Sequence, residues 1–242
     1  MSQSPYVLAI DNGTQSIRAI VFDEQGHIIA KSKVNIEAYF STQPGWAEQD
    51  ADYYWQSLSQ ACQDLWAQGI VKPEQIRGVS LTTQRYTMIN LDVDKKPLRP
   101  AIVWMDQRRA NVEKPVQGVW GFLIKALGLT NLISELRAKA RDNWISQNEP
   151  EIWAKTKHYV SLSAYLTYKL TGQLKDSTGS TMGYLPYDYR KQQWAGKNDL
   201  KWKYRSVSSN RIIYSWNDDD GESQKCIERQ FISCVRDVFG LG

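Results

Sequence analysis

Two short apolar runs separated by a tight polar turn open the chain, and they limit its fold more than any other feature. Residues 6–10 and 17–23 are typical of strands. The turn between them contains Asn12-Gly13, a dipeptide common in hairpins because both central residues then need positive φ. A third run covers residues 27–36. We therefore expect three antiparallel strands joined by tight turns.

The middle of the chain adds helices. Asp50 can cap a helix whose apolar positions share one face: Ala51, Tyr54, Trp55, Leu58, Cys62, Leu65 and Trp66. Residues 76–83 and 87–91 predict two more strands. From about 132 to 172 the pattern is helical, most clearly in residues 159–170, and Gly172 is placed to end that helix. Strands followed by helices predict an α/β domain.

Two further segments carry predictions that the structure can test. A charged stretch beginning at Asp106 predicts a helix, because a carboxylate is favourable near a helix N-terminus. The longest apolar run, residues 119–129, is interrupted by Lys125. It is shorter than the roughly 20 apolar residues that span a bilayer, so we expect a buried core segment and no membrane partner.

Composition excludes several classes of protein. The chain has 242 residues, and 30 Lys+Arg against 26 Asp+Glu give a net charge of +4, which is too small for a dedicated nucleic-acid binder. Three cysteines without a CxxC pair and two histidines argue against a disulfide framework or a zinc site. Any metal should be a hard cation bound by oxygen. The first residues lack a secretory signal pattern, so we expect a cytoplasmic protein.

The turn between the first two runs carries the clearest chemistry. Gly13 exposes backbone N–H groups, and the hydroxyls of Thr14 and Ser16 can donate to phosphate oxygens. Asp11 ends the first run and could bind Mg²⁺ directly or through water. The same residues could equally form a hairpin with no ligand, and the pattern alone does not decide between these interpretations.

Four segments in order resemble one family. Residues 9–23 resemble the N-terminal phosphate hairpin of the FGGY carbohydrate kinases, which include glycerol kinase and xylulokinase. Residues 44–50 (Pro-Gly-Trp-Ala-Glu-Gln-Asp) resemble the loop before their first helix. Residues 80–85 (Ser-Leu-Thr-Thr-Gln-Arg) and 104–109 (Trp-Met-Asp-Gln-Arg-Arg) resemble two segments that reach the sugar. The resemblance runs from about residue 6 to 202.

The resemblance implies a fold, a reaction and cofactors. The fold would be the α/β, ribonuclease-H-like lobe of actin and hexokinase, with a mixed sheet flanked by helices. The reaction would be ATP-dependent phosphorylation of a hydroxyl on a small-molecule sugar or polyol, with ATP and Mg²⁺ as cofactors. Asp11 would serve Mg²⁺, and the phosphates would meet Gly13, Thr14, Ser16 and Arg18.

The sugar would meet four residues: Gln84, Arg85, Trp104 and Asp106. The forked donors of Arg85 can hold adjacent hydroxyl oxygens, Asp106 can accept from other hydroxyls, and the face of Trp104 can lie against C–H groups. Considered singly, each has an ordinary interpretation as a solvated charge, a helix cap or a core residue. Glycerol kinases carry an acidic residue where this chain has Tyr86, which leaves the sugar unidentified.

We divide the chain into a kinase N-terminal lobe, residues 1–202, and a tail, residues 203–242, that resembles no segment of the family. We hypothesise that a shifted reading frame produced the tail; a divergent C-terminus is the alternative. The family's catalytic Asp and adenine-binding glycine motif belong to a second lobe beyond the resemblance. The catalytic base is therefore unassigned, and we expect weak or no phosphoryl transfer from this chain.

Two other functions stay open. The lobe could be a non-catalytic sugar-binding or scaffold module, or it could belong to an actin-like protein whose assembly is driven by nucleotide. A lobe without its partner would expose the face that normally meets it, so a homo-oligomer is a further expectation.

Overall fold

The computed structural model describes residues 5–112, 115–177, 180, 187–188, 190–191 and 193–194. Its strands are β1 (Tyr6–Asn12), β2 (Ser16–Phe22), β3 (Ile28–Asn35), β4 (Glu48–Gln49), β5 (Ile76–Thr83), β6 (Met88–Leu91), β7 (Ala101–Ile102), β8 (His158–Ser161), β9 (Tyr187–Asp188) and β10 (Gln193–Trp194). Its helices are α1 (Ala51–Trp66), α2 (Gly118–Ala126), α3 (Thr130–Lys139), α4 (Arg141–Asn148), α5 (Pro150–Lys155) and α6 (Leu162–Thr171), with a 3₁₀ turn at Pro73–Gln75. The predicted tail lies outside the described residues.

The first four long strands form a mixed sheet in the order β3-β2-β1-β5. The pairs β1–β2 and β2–β3 are antiparallel, which confirms the predicted opening, and β5 lies parallel to β1. Because β1 and β5 run in the same direction, Asn12 and Thr83 are partners at the same edge of the sheet. Residues that follow either strand therefore meet at this edge.

The first hairpin is confirmed, but its turn differs from the predicted one. β1 continues through Asn12 and β2 begins at Ser16, which leaves a three-residue turn closed by the Gly13 N–H donating to the Ser16 carbonyl at 3.0 Å. Neither Asn12 nor Gly13 has positive φ, so the expected reason for this dipeptide was wrong. A Cβ on residue 13 would lie 3.2 Å from that carbonyl oxygen, so close backbone approach favours glycine here.

Helix α1 covers the sheet and confirms the predicted cap. The Asp50 carboxylate accepts from the Asp52 N–H at 2.8 Å, and α1 packs on β2 and β3 while α6 packs on β5. The buried residues of α1 are Ala51, Tyr54, Ser57, Leu58, Ala61, Cys62 and Leu65, whereas Trp55 and Trp66 are only partly buried at the edge of the core. Gly172 ends α6 with φ of +72°, as predicted.

A second sheet has the order β4-β7-β6-β8, with all pairs antiparallel. The predicted start of the helix at residue 159 was wrong, because residues 158–161 belong to this sheet. Tyr159 was expected in a helix, but it pairs with Asn90 of β6, and α6 begins only at Leu162. Pairing with a neighbouring strand has overridden the local helical pattern at residues 159–161.

Two other predictions were wrong. No helix starts at Asp106; the described residues between 106 and 117 are irregular, because this carboxylate binds groups in another loop. The run 119–129 forms α2 and the following turn, but Val119 and Phe122 are 75% and 73% exposed and only Ile124 is buried on α2. No single described helix is long and apolar enough to cross a membrane; α2 and α3 pass that length and composition test only as a pair bent by 119°.

Candidate phosphate and sugar site

The hairpin brings the predicted metal residue and one predicted phosphate residue together. Asp11 and Arg18 are opposite each other in the β1–β2 register, and Arg18 Nη1 lies 2.6 Å from Asp11 Oδ2. Their side chains are 41% and 43% exposed. Ser16, by contrast, is buried on β2 opposite Asn35. An exposed carboxylate and an exposed guanidinium therefore flank the turn.

Trp104 joins the hairpin to the predicted sugar segment. Its indole Nε1–H donates to Thr14 Oγ1 at 3.2 Å, although the two residues are 90 positions apart in sequence. Trp104 is 49% exposed, so much of the ring is accessible to a ligand. A residue predicted to bind phosphate and a residue predicted to bind sugar are thus in direct contact.

The predicted pair Gln84 and Arg85 leaves β5 at the same edge. The Gln84 N–H donates to the Asn12 carbonyl at 2.9 Å, and its side-chain Nε2 donates to the Tyr54 hydroxyl at 2.7 Å. Burial raises the pKa of Tyr54, so this hydroxyl stays protonated. Arg85 is exposed and makes no hydrogen bond or ion pair with any residue that the structure describes. Its guanidinium is free to bind a ligand.

Asn12 lies at the base of the turn and was not predicted as a site residue. Its side chain is fully buried, and neither amide atom has a hydrogen-bond partner among the described residues. The Oε1 atom of Gln84 is also buried without a partner there. Since buried polar atoms are usually paired, these atoms mark a place with unused hydrogen-bonding capacity.

Asp106 lies beside this edge, but its carboxylate is enclosed. Its side chain is 1% exposed, and it accepts from the Ala47 N–H at 2.7 Å and from Arg108 Nη2 at 2.6 Å. Burial alone would raise the pKa of Asp106, but the hydrogen bonds from Arg108 and Ala47 and the charge of Arg108 lower it. A direct contact between Asp106 and sugar stays a prediction, since these groups now occupy its oxygens.

Arg108 is the centre of a buried network that the sequence did not reveal as such. Its Nη1 also donates to Glu48 Oε1 at 2.8 Å, and Glu48 forms a second ion pair with Arg99. The guanidinium carbon lies 4.2 Å from the centre of the Trp46 ring and 4.7 Å from that of Trp144. Glu48 and Arg108 occur in the family-like segments, which was the available signal. The network fastens residues 46–48 to residues 106–108.

Tyr86 occupies the position at which glycerol kinases carry an acidic residue, and its contacts are with Arg141 and Lys139. It has φ of +60°, its carbonyl accepts from Arg141 Nη1 at 2.5 Å, and its ring centre lies 4.0 Å from the Arg141 guanidinium. Its hydroxyl donates to the Lys139 carbonyl at 3.1 Å. Arg141 Nη2 also donates to the Trp104 carbonyl at 3.0 Å, so one residue of α4 contacts both the residue after Arg85 and the first residue of the segment 104–109. No pattern in the sequence indicated this.

Comparison with known proteins shows which family this chain resembles. Residues 6–197 match the family model of the N-terminal domain of the FGGY family of carbohydrate kinases. A glycerol kinase of Thermococcus gammatolerans is 29% identical over 78% of this chain and 39% of that protein. A xylulose kinase of Lactococcus lactis is 30% identical over 78% of this chain and 38% of that protein. The chain thus spans about two fifths of the length of these relatives.

Solved structures confirm the expected actin/hexokinase-type fold. The ligand-bound xylulose kinase of Lactobacillus acidophilus superposes with a TM-score of 0.62 over 92% of this chain and 45% of that one, at 18% identity. The Plasmodium falciparum glycerol kinase with ADP gives 0.55 over 80% and 40%, at 24% identity. From the family-model match and the fold together, the chain belongs to the FGGY family of carbohydrate kinases.

Proposed function

We propose that this chain forms the lobe of a kinase that binds an acceptor sugar or polyol together with the phosphate end of ATP. The reaction joins an acceptor hydroxyl oxygen to the γ-phosphorus as the bond between that phosphorus and the β–γ bridging oxygen breaks, and ADP leaves. The hydroxyl proton passes to a base that we expect in the second lobe. The contact between Thr14 and Trp104 is the observation that supports this proposal most directly.

The hairpin suits the phosphate end of the nucleotide. Phosphoryl transfer depends mainly on positioning and on donors and cations that stabilise phosphate charge. The hydroxyl of Thr14 lies on the turn, and Arg18 on β2 is paired with Asp11 on β1. A phosphate can replace the carboxylate as the partner of Arg18, because charge-assisted hydrogen bonds form to either anion.

Asp11 suits a magnesium ion that ATP brings with it. The described residues contain no group of three or more His, Cys, Asp or Glu side chains that could hold a metal. Mg²⁺ is commonly bound by one or two carboxylates together with phosphate oxygens and water, so one exposed carboxylate fits this mode. The ion would neutralise phosphate charge, and Asp11 would orient it beside the turn.

Acceptor titrations of Arg85→Ala test the proposal. We expect Arg85→Ala to weaken acceptor binding by about tenfold or more, because a charged hydrogen bond contributes roughly 1.5–3 kcal/mol. Arg77→Ala is a matched control, since Arg77 is exposed at the other end of β5. Ligand-observed NMR with a sugar and polyol panel would give the affinities, and ADP release would be measured in parallel.

The results separate the candidate functions. Sugar-dependent ADP release, or binding of both sugar and ATP, supports the kinase lobe, and sugar binding without ATP binding favours a binding module. Equal affinities for Arg85→Ala and Arg77→Ala would remove the acceptor assignment. Filament formation with ATP and no sugar binding would favour the actin-like alternative.

A further inference from the structure

An apolar surface on α2, the turn after it and the start of α3 is open to solvent. Val119 is 75% exposed, Phe122 73% and Leu127 69%. A single exposed apolar residue is ordinary in a folded protein, whereas a continuous exposed apolar patch marks an interaction site. The surface, named the α2 surface below, consists of seven exposed residues: Val119, Trp120, Phe122, Leu123, Leu127, Leu129 and Leu132.

The exposed side chains of α2 form one stripe along the helix. With 3.6 residues per turn, the positions of Phe122, Val119, Leu123 and the C-cap residue Leu127 follow one another within about 140° around the helix axis. Apolar residues spaced i, i+3, i+4 and i+8 are the pattern by which a helix packs against a core. The buried residue of α2, Ile124, lies outside this stripe. The helix therefore has a second apolar face, of the kind that packs against another helix.

The charge of this segment favours a protein partner with the same surface. Lys125 is the one charged residue in the sequence from 115 to 132. On the helix it lies about 130° from the middle of the stripe, so an identical stripe can pack there without opposing like charges. Helices that lie on membranes carry many Lys and Arg residues on a strongly charged face, and a single lysine does not fit that pattern.

The area of the α2 surface is close to one side of a dimer interface. Its seven side chains are 37–75% exposed, which gives on the order of 600 Å² of exposed apolar area. Stable interfaces bury about 800 Å² on each partner, and this includes a polar rim around the apolar centre. Two copies of the α2 surface with their surroundings therefore supply an interface of ordinary size. A surface meets its own copy across a two-fold axis, which is the commonest symmetry of protein dimers.

We propose that the α2 surface binds the α2 surface of a second copy of this chain, so that the chain is a two-fold dimer in solution. The two α2 helices lie antiparallel, with their stripes in contact. Phe122 and Leu123 lie at the middle of α2 and are therefore nearest the two-fold axis. This interface contains none of the residues assigned to phosphate or acceptor binding, so the inference does not depend on the proposed function.

Sedimentation velocity of the chain over a range of concentrations tests this pairing. We expect a dimer that dissociates on dilution. Phe122→Glu places two like charges near the axis and removes a central aromatic residue, so it should weaken dimerisation at least about tenfold. Val93→Glu is the matched control, since Val93 is 72% exposed on the turn after β6, outside the α2 surface, and this variant should dimerise like wild type. Both side chains are exposed, and circular dichroism would confirm that both variants fold.

A dimer that Phe122→Glu dissociates and Val93→Glu does not would support the pairing. A chain that is monomeric at about 100 µM would overturn it, since interfaces of this size have dissociation constants in the micromolar range or below. A dimer that Phe122→Glu leaves intact would overturn it too, because another surface would then join the copies. Flotation of the monomer with phosphatidylcholine vesicles, abolished by Phe122→Glu, would assign the surface to a membrane instead and overturn the pairing.

Discussion

Two Arg–Asp pairs in this lobe have the same length and opposite surroundings. Arg18 and Asp11 are 2.6 Å apart on the hairpin with side chains 43% and 41% exposed. Arg108 and Asp106 are also 2.6 Å apart, but their side chains are 2% and 1% exposed. Distance alone therefore says little about what an ion pair does.

Because one pair is exposed and the other is buried, the two pairs have different roles. Water screens the hairpin pair, so it contributes little to folding, and either member can exchange its partner for a ligand. The buried pair has further partners in Glu48, Ala47 and two tryptophans, and water cannot replace them. The first pair is suited to binding, and the second fastens residues 46–48 to residues 106–108.

The largest effect should come from Arg108→Ala. The change leaves the Asp106 and Glu48 carboxylates buried without their shared partner, which costs about 3–5 kcal/mol when a buried pair is broken. Urea unfolding monitored by tryptophan fluorescence would measure the loss. Arg108→Lys keeps the positive charge but lacks the planar set of N–H donors of the guanidinium, and it should lose less stability than Arg108→Ala. Equal stability of Arg108→Ala and wild type would contradict the role given to the network.

The second-largest effect should come from acid, which weakens the buried ion pair of Asp106 and Arg108. The pKa of Asp106 lies below its ordinary value of 3.8 in the folded chain, so the unfolded chain binds more protons. The stabilisation is complete above that ordinary value and is lost as the pH falls through the folded pKa. In Asp106→Asn this contribution is absent, so its stability deficit should shrink as the pH is lowered. A deficit independent of pH would show that the carboxylate charge is unimportant.

A smaller coupling should join the hairpin to Trp104. Thr14→Val and Trp104→Phe each remove one side of a hydrogen bond while retaining most of the side-chain shape. We expect a coupling free energy of about 0.5–1.5 kcal/mol in a double-mutant cycle on unfolding. Additive single-mutant effects would mean that the two segments are merely adjacent.

The smallest stability change should follow Arg18→Ala. An exposed ion pair contributes roughly 0–1 kcal/mol, so urea unfolding should differ little from wild type. Calorimetric titration with ATP should nevertheless show weaker binding, by about tenfold, because a charged hydrogen bond to phosphate is lost. Loss of stability comparable to that of Arg108→Ala would erase the distinction between the two pairs.

Local signals predicted the parts of the fold that depend on local interactions. The apolar runs of the first three strands, the Asp50 cap and the Gly172 stop all act within a few residues, and all were confirmed. Two of the segments that resemble the family are also in contact with each other. The Trp104 Nε1–H donates to Thr14 Oγ1.

Long-range contacts account for what the sequence could not predict. Asp106 was expected to begin a helix, but it binds Ala47, which is 59 positions away. Tyr159 joined a strand because β6 offered a partner. The apolar run of α2 was expected to be buried, and periodicity gives no information about whether another element lies over such a helix.

Arg141 couples two separate segments of the backbone, because it donates hydrogen bonds to the carbonyls of both Tyr86 and Trp104. Because one rigid guanidinium holds the backbone at both Tyr86 and Trp104, neither segment can shift without the other. A disturbance of α4 would therefore be transmitted to Tyr86 and Trp104 at once.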